Sequence, residues 1–133
     1  MQLNHVANRL ADQHFETVVA MFVECLGFRV LRRTERAIWL RQGAALVDLQ
    51  FSRSGTVARD DDKLRSQVSF LSETPRAALE ALAVWLAAHG VVASVGAYSG
   101  REFYLDAPEA FVDFVMEAML PELAEYGEAC VDN

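Results

Sequence analysis

The alternation of apolar and polar residues predicts a strand, a helix and three further strands in the first half of the chain. Apolar residues recur at helical spacing after Asp12, which we expect to cap this helix, and Gly27 is placed to end it in a left-handed conformation. The strands predicted around the helix are Leu3–Ala7, Phe28–Arg33, Ala37–Arg41 and Ala45–Phe51.

The second half repeats this order of elements. Thr74 and Pro75 predict a capped helix start with proline at the first helical position, and Gly90 follows the helix end. The strands predicted here are Leu64–Leu71, Val91–Val95, Glu102–Leu105 and Phe111–Met116. The sequence therefore predicts an α+β fold of two tandem βαβββ modules that form a curved mixed sheet around a cavity. The expected boundaries are residues 1–51, a linker at 52–62, residues 63–118, and a tail at 119–133.

Polar side chains occupy equivalent places in the first and last strands of both modules. His5 and Asp48 hold these places in the first module, and Gln67 and Asp113 hold them in the second. Asp113 interrupts an apolar run, where a charge is expected to be paired, metal-bound or exposed. Around one cavity the four side chains could hold Mn, Fe, Co, Ni or Zn. A structural histidine, a hydrogen-bonding glutamine and edge-exposed aspartates are the alternatives.

Other side chains are candidates for ligand contact. Arg65 and Ser69 share a strand face with Gln67, and Glu117 shares one with Asp113. Trp39 and Tyr104 are expected in the core or on the cavity wall.

Composition and charge narrow the classes of function. The 133 residues suit one domain, and the net charge of −7 argues against nucleic acid as a partner. No apolar run approaches the roughly 18 residues of a membrane span, and the first residues lack the order of a signal peptide. We therefore expect a cytoplasmic protein. The two cysteines match no metal motif and no disulfide scaffold.

Four short stretches carry a resemblance to a known superfamily: LNHVA, CLGF, LVDLQ and FYLDAPEAFVDF. In this order the chain resembles the vicinal oxygen chelate superfamily, which includes glyoxalase I, bleomycin-resistance proteins and extradiol dioxygenases. The resemblance extends from Leu3 to about Met116. Carried over by position, it implies metal ligands at His5, Asp48, Gln67 and Asp113. Aspartate replaces the usual glutamate twice, and glutamine replaces histidine once.

The resemblance implies two alternative functions, and a degenerate structural or regulatory homologue that binds neither metal nor ligand is a third possibility. The first is a divalent-metal-dependent enzyme, of lyase, isomerase or dioxygenase type, for a small molecule with adjacent oxygens. In that enzyme Asp113 would transfer the proton as general base. The second is a metal-free, small-ligand-binding protein like the bleomycin-resistance members. Both imply a homodimer, in which His5 and Asp48 could complete a site with the partner's Gln67 and Asp113.

Overall fold

The computed structural model describes residues 1–55, 63–64 and 66–124. The first module contains β1 (His5–Ala11), α1 (Phe15–Leu26), β2 (Phe28–Arg33), β3 (Ala37–Gln42) and β4 (Asp48–Ser54). The second contains β5 (Gln67–Leu71), α2 (Pro75–Ala88), β6 (Ser94–Ala97), β7 (Glu102–Asp106) and β8 (Val115–Met119). Short 3-10 turns cover Asp12–His14 and Pro121–Ala124. The predicted tandem βαβββ order is confirmed.

Each module forms its own mixed four-stranded sheet. The strand orders are β1-β4-β3-β2 and β5-β8-β7-β6, with the first and last strands of each module parallel and the other pairs antiparallel. Helix α1 contacts α2. The predicted α+β class is therefore confirmed, with one sheet per module.

The helix ends test the local signals in the sequence. Gly27 adopts a left-handed conformation with φ of 71° and ends α1, and Pro75 is the first residue of α2, both as predicted. The predicted cap at Asp12 is wrong, because Asp12 lies in the 3-10 turn and His14 precedes α1 without a side-chain cap bond. Thr74 also makes no side-chain cap bond; its amide donates to Ser72 Oγ at 3.1 Å.

A continuous aromatic core joins the two modules. Phe22 of α1 lies 5.0 Å from Phe51 of β4, and Phe51 stacks on Phe114 of the second module at 5.7 Å between ring centroids. Phe114 stacks in turn on Phe111 at 4.7 Å, and all four rings are almost fully buried. Buried aromatic pairs add specific ring contacts to the free energy of burial. This packing fixes the second module against the first.

Several predicted strand ends are displaced. In the first module, the strand predicted at Leu3–Ala7 lies at His5–Ala11, and the strand predicted at Ala45–Phe51 lies at Asp48–Ser54. In the second module, the strand predicted at Leu64–Leu71 lies at Gln67–Leu71, and the strand predicted at Val91–Val95 lies at Ser94–Ala97. Ser52–Ser54 of the predicted linker therefore belong to β4. Residues 56–62 of that linker, Arg65, and residues 125–133 of the tail lie outside the described part of the chain.

The last strand requires the largest correction, because β8 begins at Val115 and not at Phe111. The segment before it pairs with β1: the Ala11 amide donates to Ala110 O at 2.8 Å, and the Val112 amide donates to Arg9 O at 3.2 Å. In the run Phe111–Phe114, the apolar residues Phe111, Val112 and Phe114 are buried, whereas Asp113 between them is partly exposed. Asp113 consequently lies in a connection and not in a strand.

Neither α-helix in the described ranges is long and apolar enough to cross a membrane.

Candidate functional site

Each sheet presents a polar face on the side opposite its helix. In the first module, the residues whose alternation and strand pairing place them on this face are His5, Arg9, Arg29, Arg32, Trp39, Arg41 and Asp48. We call it the first polar face. In the second module, the corresponding residues are Gln67, Ser69, Gly96, Glu102, Tyr104, Asp106 and Glu117. We call it the second polar face. These faces contain the predicted site residues except Asp113, which lies in the connection before β8, and Arg65, which lies outside the described residues.

Asp48 is held by an arginine. It is only 5% exposed, and Arg41 donates to it through Nε to Oδ1 at 2.7 Å and through Nη2 to Oδ2 at 3.0 Å. This two-pronged geometry matches a guanidinium to a carboxylate. The hydrogen bonds from Arg41 lower the pKa of Asp48 against the opposing effect of burial, and the charges of Arg41, Arg29 and His5 lower it further. Asp48 is therefore an ionised, arginine-bound carboxylate.

His5 lies beside Asp48, as the sequence predicted for two ligands of one site. The two residues are direct partners in the parallel pairing of β1 with β4. The His5 side chain is exposed, and its Nδ1 lies 2.9 Å from Asn4 Oδ1. The structure thus brings together the two predicted site residues of the first module.

Asp113 joins the modules through polar contacts with β1. Its Oδ1 accepts the Arg9 backbone amide at 3.0 Å and Asn8 Nδ2 at 3.4 Å, and its Oδ2 pairs with Arg9 Nε at 3.2 Å. The Asp113 side chain is 34% exposed. Within this chain, the carboxylate is used to bind β1.

Gln67 lies at the beginning of β5. Its register partner on β8 is Val115, so the position equivalent to Asp48 holds valine and not Asp113. Gln67 Nε2 donates to Leu64 O at 3.3 Å. The repeat predicted from the sequence is real, but its register in the last strand is shifted by two residues.

The arrangement within one chain does not suit a divalent metal ion. In the described ranges 1–55, 63–64 and 66–124, no three His, Cys, Asp or Glu side chains form a group that could hold one. Both oxygens of Asp48 bind Arg41, and both oxygens of Asp113 accept hydrogen bonds from β1. A metal would have to displace a guanidinium from each carboxylate. His5, Asp48, Gln67 and Asp113 as placed here therefore do not fit the predicted ion.

The second polar face contains a carboxylate that the sequence singled out only as a possible ligand contact. Ser69, Glu117, Tyr104 and Gly96 form one row across β5, β8, β7 and β6. Glu117 is 7% exposed, and Ser69 Oγ donates to its Oε1 at 2.7 Å. The alternation within β8 placed Glu117 on this face. Only its burial could not be read from the sequence.

Aromatic residues occupy equivalent positions on the two faces. Trp39 is the register partner of Gln50 on β4, as Tyr104 is of Glu117 on β8. Arg32 lies over the Trp39 ring at 4.9 Å, a favourable cation–π distance. Both predicted aromatic site residues thus lie on polar faces, half-buried. Arg65, also predicted to contact substrate, lies outside the described residues.

A groove of about 270 Å³ lies between the modules. Val6 and Leu49 line it from the first module, and Val68 and Phe70 line it from the second. Gln42, Gln67 and Ser69 supply polar groups among these apolar walls. Apolar walls with a few polar groups are typical of small-molecule sites.

Comparison with known proteins supports the fold. No family model matches the chain, and no curated protein matches it in sequence. Three solved structures illustrate the structural likeness. A possible glyoxalase from Bacillus cereus has a TM-score of 0.59 at 18% identity, over 90% of this chain and 98% of that one. Leishmania major glyoxalase I has a TM-score of 0.57 at 16% identity, over 93% of this chain and 89% of that one. The bleomycin-binding protein of Streptomyces verticillus, solved with copper(II)-bleomycin, has a TM-score of 0.51 at 18% identity, over 90% of this chain and 98% of that one.

These likenesses concern the fold. At such low identity they show that the chain has the architecture of glyoxalases and bleomycin-binding proteins, as the resemblance in sequence predicted. The function must be argued from the side chains of this chain.

Proposed function

We propose that this protein binds a small molecule in the groove between its modules, without a metal ion. The observation that supports this most strongly is the pairing of both predicted carboxylate ligands with arginines. Asp48 binds Arg41 through two hydrogen bonds, and Asp113 binds Arg9. Groups already neutralised in this way have little remaining capacity for a cation. The protein therefore resembles, in function, the bleomycin-binding member of its structural neighbours more than the glyoxalases.

The groove suits a small, flat and mostly apolar ligand. Its volume of about 270 Å³ is slightly below the roughly 300–1,000 Å³ of typical ligand sites. Val6, Leu49 and Phe70 would bury the body of the ligand, while Gln67 and Ser69 would orient it by hydrogen bonds. A larger ligand would extend from the groove onto the second polar face, because Gln67 and Ser69 belong to both.

Binding of aromatic fragments in the presence of a chelator tests this proposal. We expect the fragments to shift the amide NMR signals of Val6, Leu49 and Val68 in the presence of about 1 mM EDTA. This EDTA concentration is about a thousandfold above the micromolar Kd of a metal site, so free metal is removed. A matched Leu49→Ala variant should weaken these shifts, while Leu46→Ala, at an exposed residue, should not. Binding that disappears with EDTA and returns with Ni²⁺ would contradict the proposal.

A metal-dependent, glyoxalase-like enzyme is the second candidate. It is favoured by the direct pairing of His5 with Asp48 and by the glyoxalases among the structural neighbours. It requires Arg41 to release Asp48 and a second chain to supply the remaining ligands. A stoichiometric metal site that depends on Asp48, together with turnover that requires the metal, would support this candidate.

We also infer that the protein acts as a homodimer in the cytoplasm. The first polar face contains four arginines, whereas the second contains Glu102, Asp106 and Glu117. A two-fold dimer that brings part of the first face to the rim of the partner's second face, at Glu102, would juxtapose opposite charges and leave Glu117 accessible. Light scattering should give twice the 14.8 kDa chain mass, with dissociation favoured at high salt. A monomer at every salt concentration would contradict this inference.

A further inference from the structure

Glu117 is a buried carboxylate, and no arginine or lysine among the described residues forms an ion pair with it. It is 7% exposed, and its one hydrogen bond comes from Ser69 Oγ. Lys63, the one lysine in the sequence, is engaged elsewhere, because its Nζ lies 2.7 Å from Asp106 Oδ1. A buried carboxylate without a paired charge is costly, and functional sites are where such groups are retained.

The two oxygens of Glu117 differ in their contacts with the described residues. Ser69 binds Oε1, and Oε2 has no hydrogen bond within the described chain. Among the described residues, Glu117 therefore has one oxygen held by Ser69 and one without a hydrogen-bond donor.

Tyr104, on the strand next to Glu117, packs over Gly96 and against a second tyrosine. Tyr104 is the cross-strand partner of Glu117, and its ring lies 5.0 Å from that of Tyr98. The Tyr98 hydroxyl donates to Leu64 O, which fixes the pair. Gly96 allows this position of Tyr104, because a Cβ at residue 96 would lie within 2.7 Å of the Tyr104 ring atom Cε1. The rings are thus held in place before any ligand binds.

We propose that Glu117, Ser69 and Tyr104 form a subsite for a protonated amine. Glu117 Oε2 accepts a hydrogen bond from the ammonium group, Ser69 holds the carboxylate in position, and the electron-rich face of Tyr104 contributes a cation–π contact. The subsite rests on the proposed function, since Ser69 also lines the groove between the modules. The ligand class is then an ammonium group attached to a flat apolar body.

The test is an NMR titration of the full chain with benzylamine, which is protonated at pH 7, and with benzyl alcohol as its neutral counterpart. We expect benzylammonium to shift the amide signals of Ser69, Tyr104 and Glu117 and to bind about tenfold more tightly than benzyl alcohol. Glu117→Gln should remove about this tenfold preference, because it keeps the shape but loses the charge. Glu80→Gln, the same change on an exposed helix residue, should leave it within about twofold.

Equal binding of the two probes, or an unchanged preference in Glu117→Gln, would overturn the proposal. If Glu117→Gln does not fold, Ser69→Ala and Tyr104→Leu decide instead, and both must weaken benzylammonium about threefold or more. A benzylammonium preference that survives both changes would overturn it. Benzyl alcohol that still binds between the modules would then show that the proposed function stands and only the amine subsite fails.

Discussion

Replacing Asp113 by alanine should weaken the contact between the modules, which we call the joint. The carboxylate accepts the Arg9 amide at 3.0 Å, Arg9 Nε at 3.2 Å and Asn8 Nδ2 at 3.4 Å, and these contacts join two segments far apart in sequence. Asp113→Ala leaves the Arg9 amide without its acceptor. The structure therefore predicts a loss of stability from a residue that was selected from the sequence as a metal ligand and base.

The size of this loss follows from the exposure of the pair. The ion pair is 49% exposed at Arg9 and 34% at Asp113, so it should contribute only about 0.5 kcal/mol. The backbone hydrogen bond to a charged acceptor adds about 1 kcal/mol after allowance for solvent. We expect the free energy of unfolding to fall by about 1–2 kcal/mol in Asp113→Ala. It should fall by about 0.5 kcal/mol in Asp113→Asn, which keeps one acceptor oxygen.

Urea denaturation followed by tryptophan fluorescence and circular dichroism measures these changes. Arg9→Ala removes the guanidinium but keeps the backbone amide, so the double-mutant cycle with Asp113→Ala isolates the ion pair at about 0.5 kcal/mol. Glu109→Ala, in the exposed turn nearby, serves as control and should change stability by less than about 0.5 kcal/mol. A change in Asp113→Ala no larger than in the control would refute the role of Asp113 in the joint.

Three further predictions follow from packing and charge. Phe114→Ala should lower the free energy of unfolding by about 3–5 kcal/mol in the same urea assay, because its ring is fully buried at the joint; a loss below about 1 kcal/mol would contradict this. Gly96→Ala should displace the Tyr104 ring and cost about 1–3 kcal/mol, and unchanged Tyr104 NMR signals would show that the ring has room. Because Arg41 lowers the pKa of Asp48, this carboxylate stabilises the fold above its unfolded pKa, and the stability is lost as the pH falls through the lower folded pKa. Asp48→Asn should therefore flatten the acid limb of stability against pH, and an unchanged limb would contradict the pairing.

The sequence predicted both helices and the repeat because their signals are local. Helical spacing, Gly27 and Pro75 each act within a few residues, and the structure confirms them. Strand ends depend on partner strands far along the chain, and several were displaced. The run around Asp113 shows why: its apolar residues are buried by the other module, and composition alone cannot distinguish that burial from burial within a sheet.

Only part of the candidate site could be predicted, because strand pairing and register depend on distant parts of the chain. His5 and Asp48 lie together because β1 pairs with β4, a contact that the repeat implied. The register of β8 was not encoded locally, so Asp113 was placed where the structure has Val115. The pairing of Asp48 with Arg41 could have been predicted, because the two residues lie in consecutive predicted strands, Ala37–Arg41 and Ala45–Phe51. An opposite charge on the neighbouring strand was the signal against a free carboxylate.

Titration calorimetry of the full protein with Mn²⁺, Co²⁺, Ni²⁺ and Zn²⁺ tests the central claim most directly. If arginines occupy both carboxylates, no metal should bind stoichiometrically at micromolar concentration, and Asp48→Ala and Asp113→Ala should leave the traces unchanged. One metal ion per chain bound at micromolar concentration, and lost in both variants, would contradict the account and favour the metal-dependent alternative.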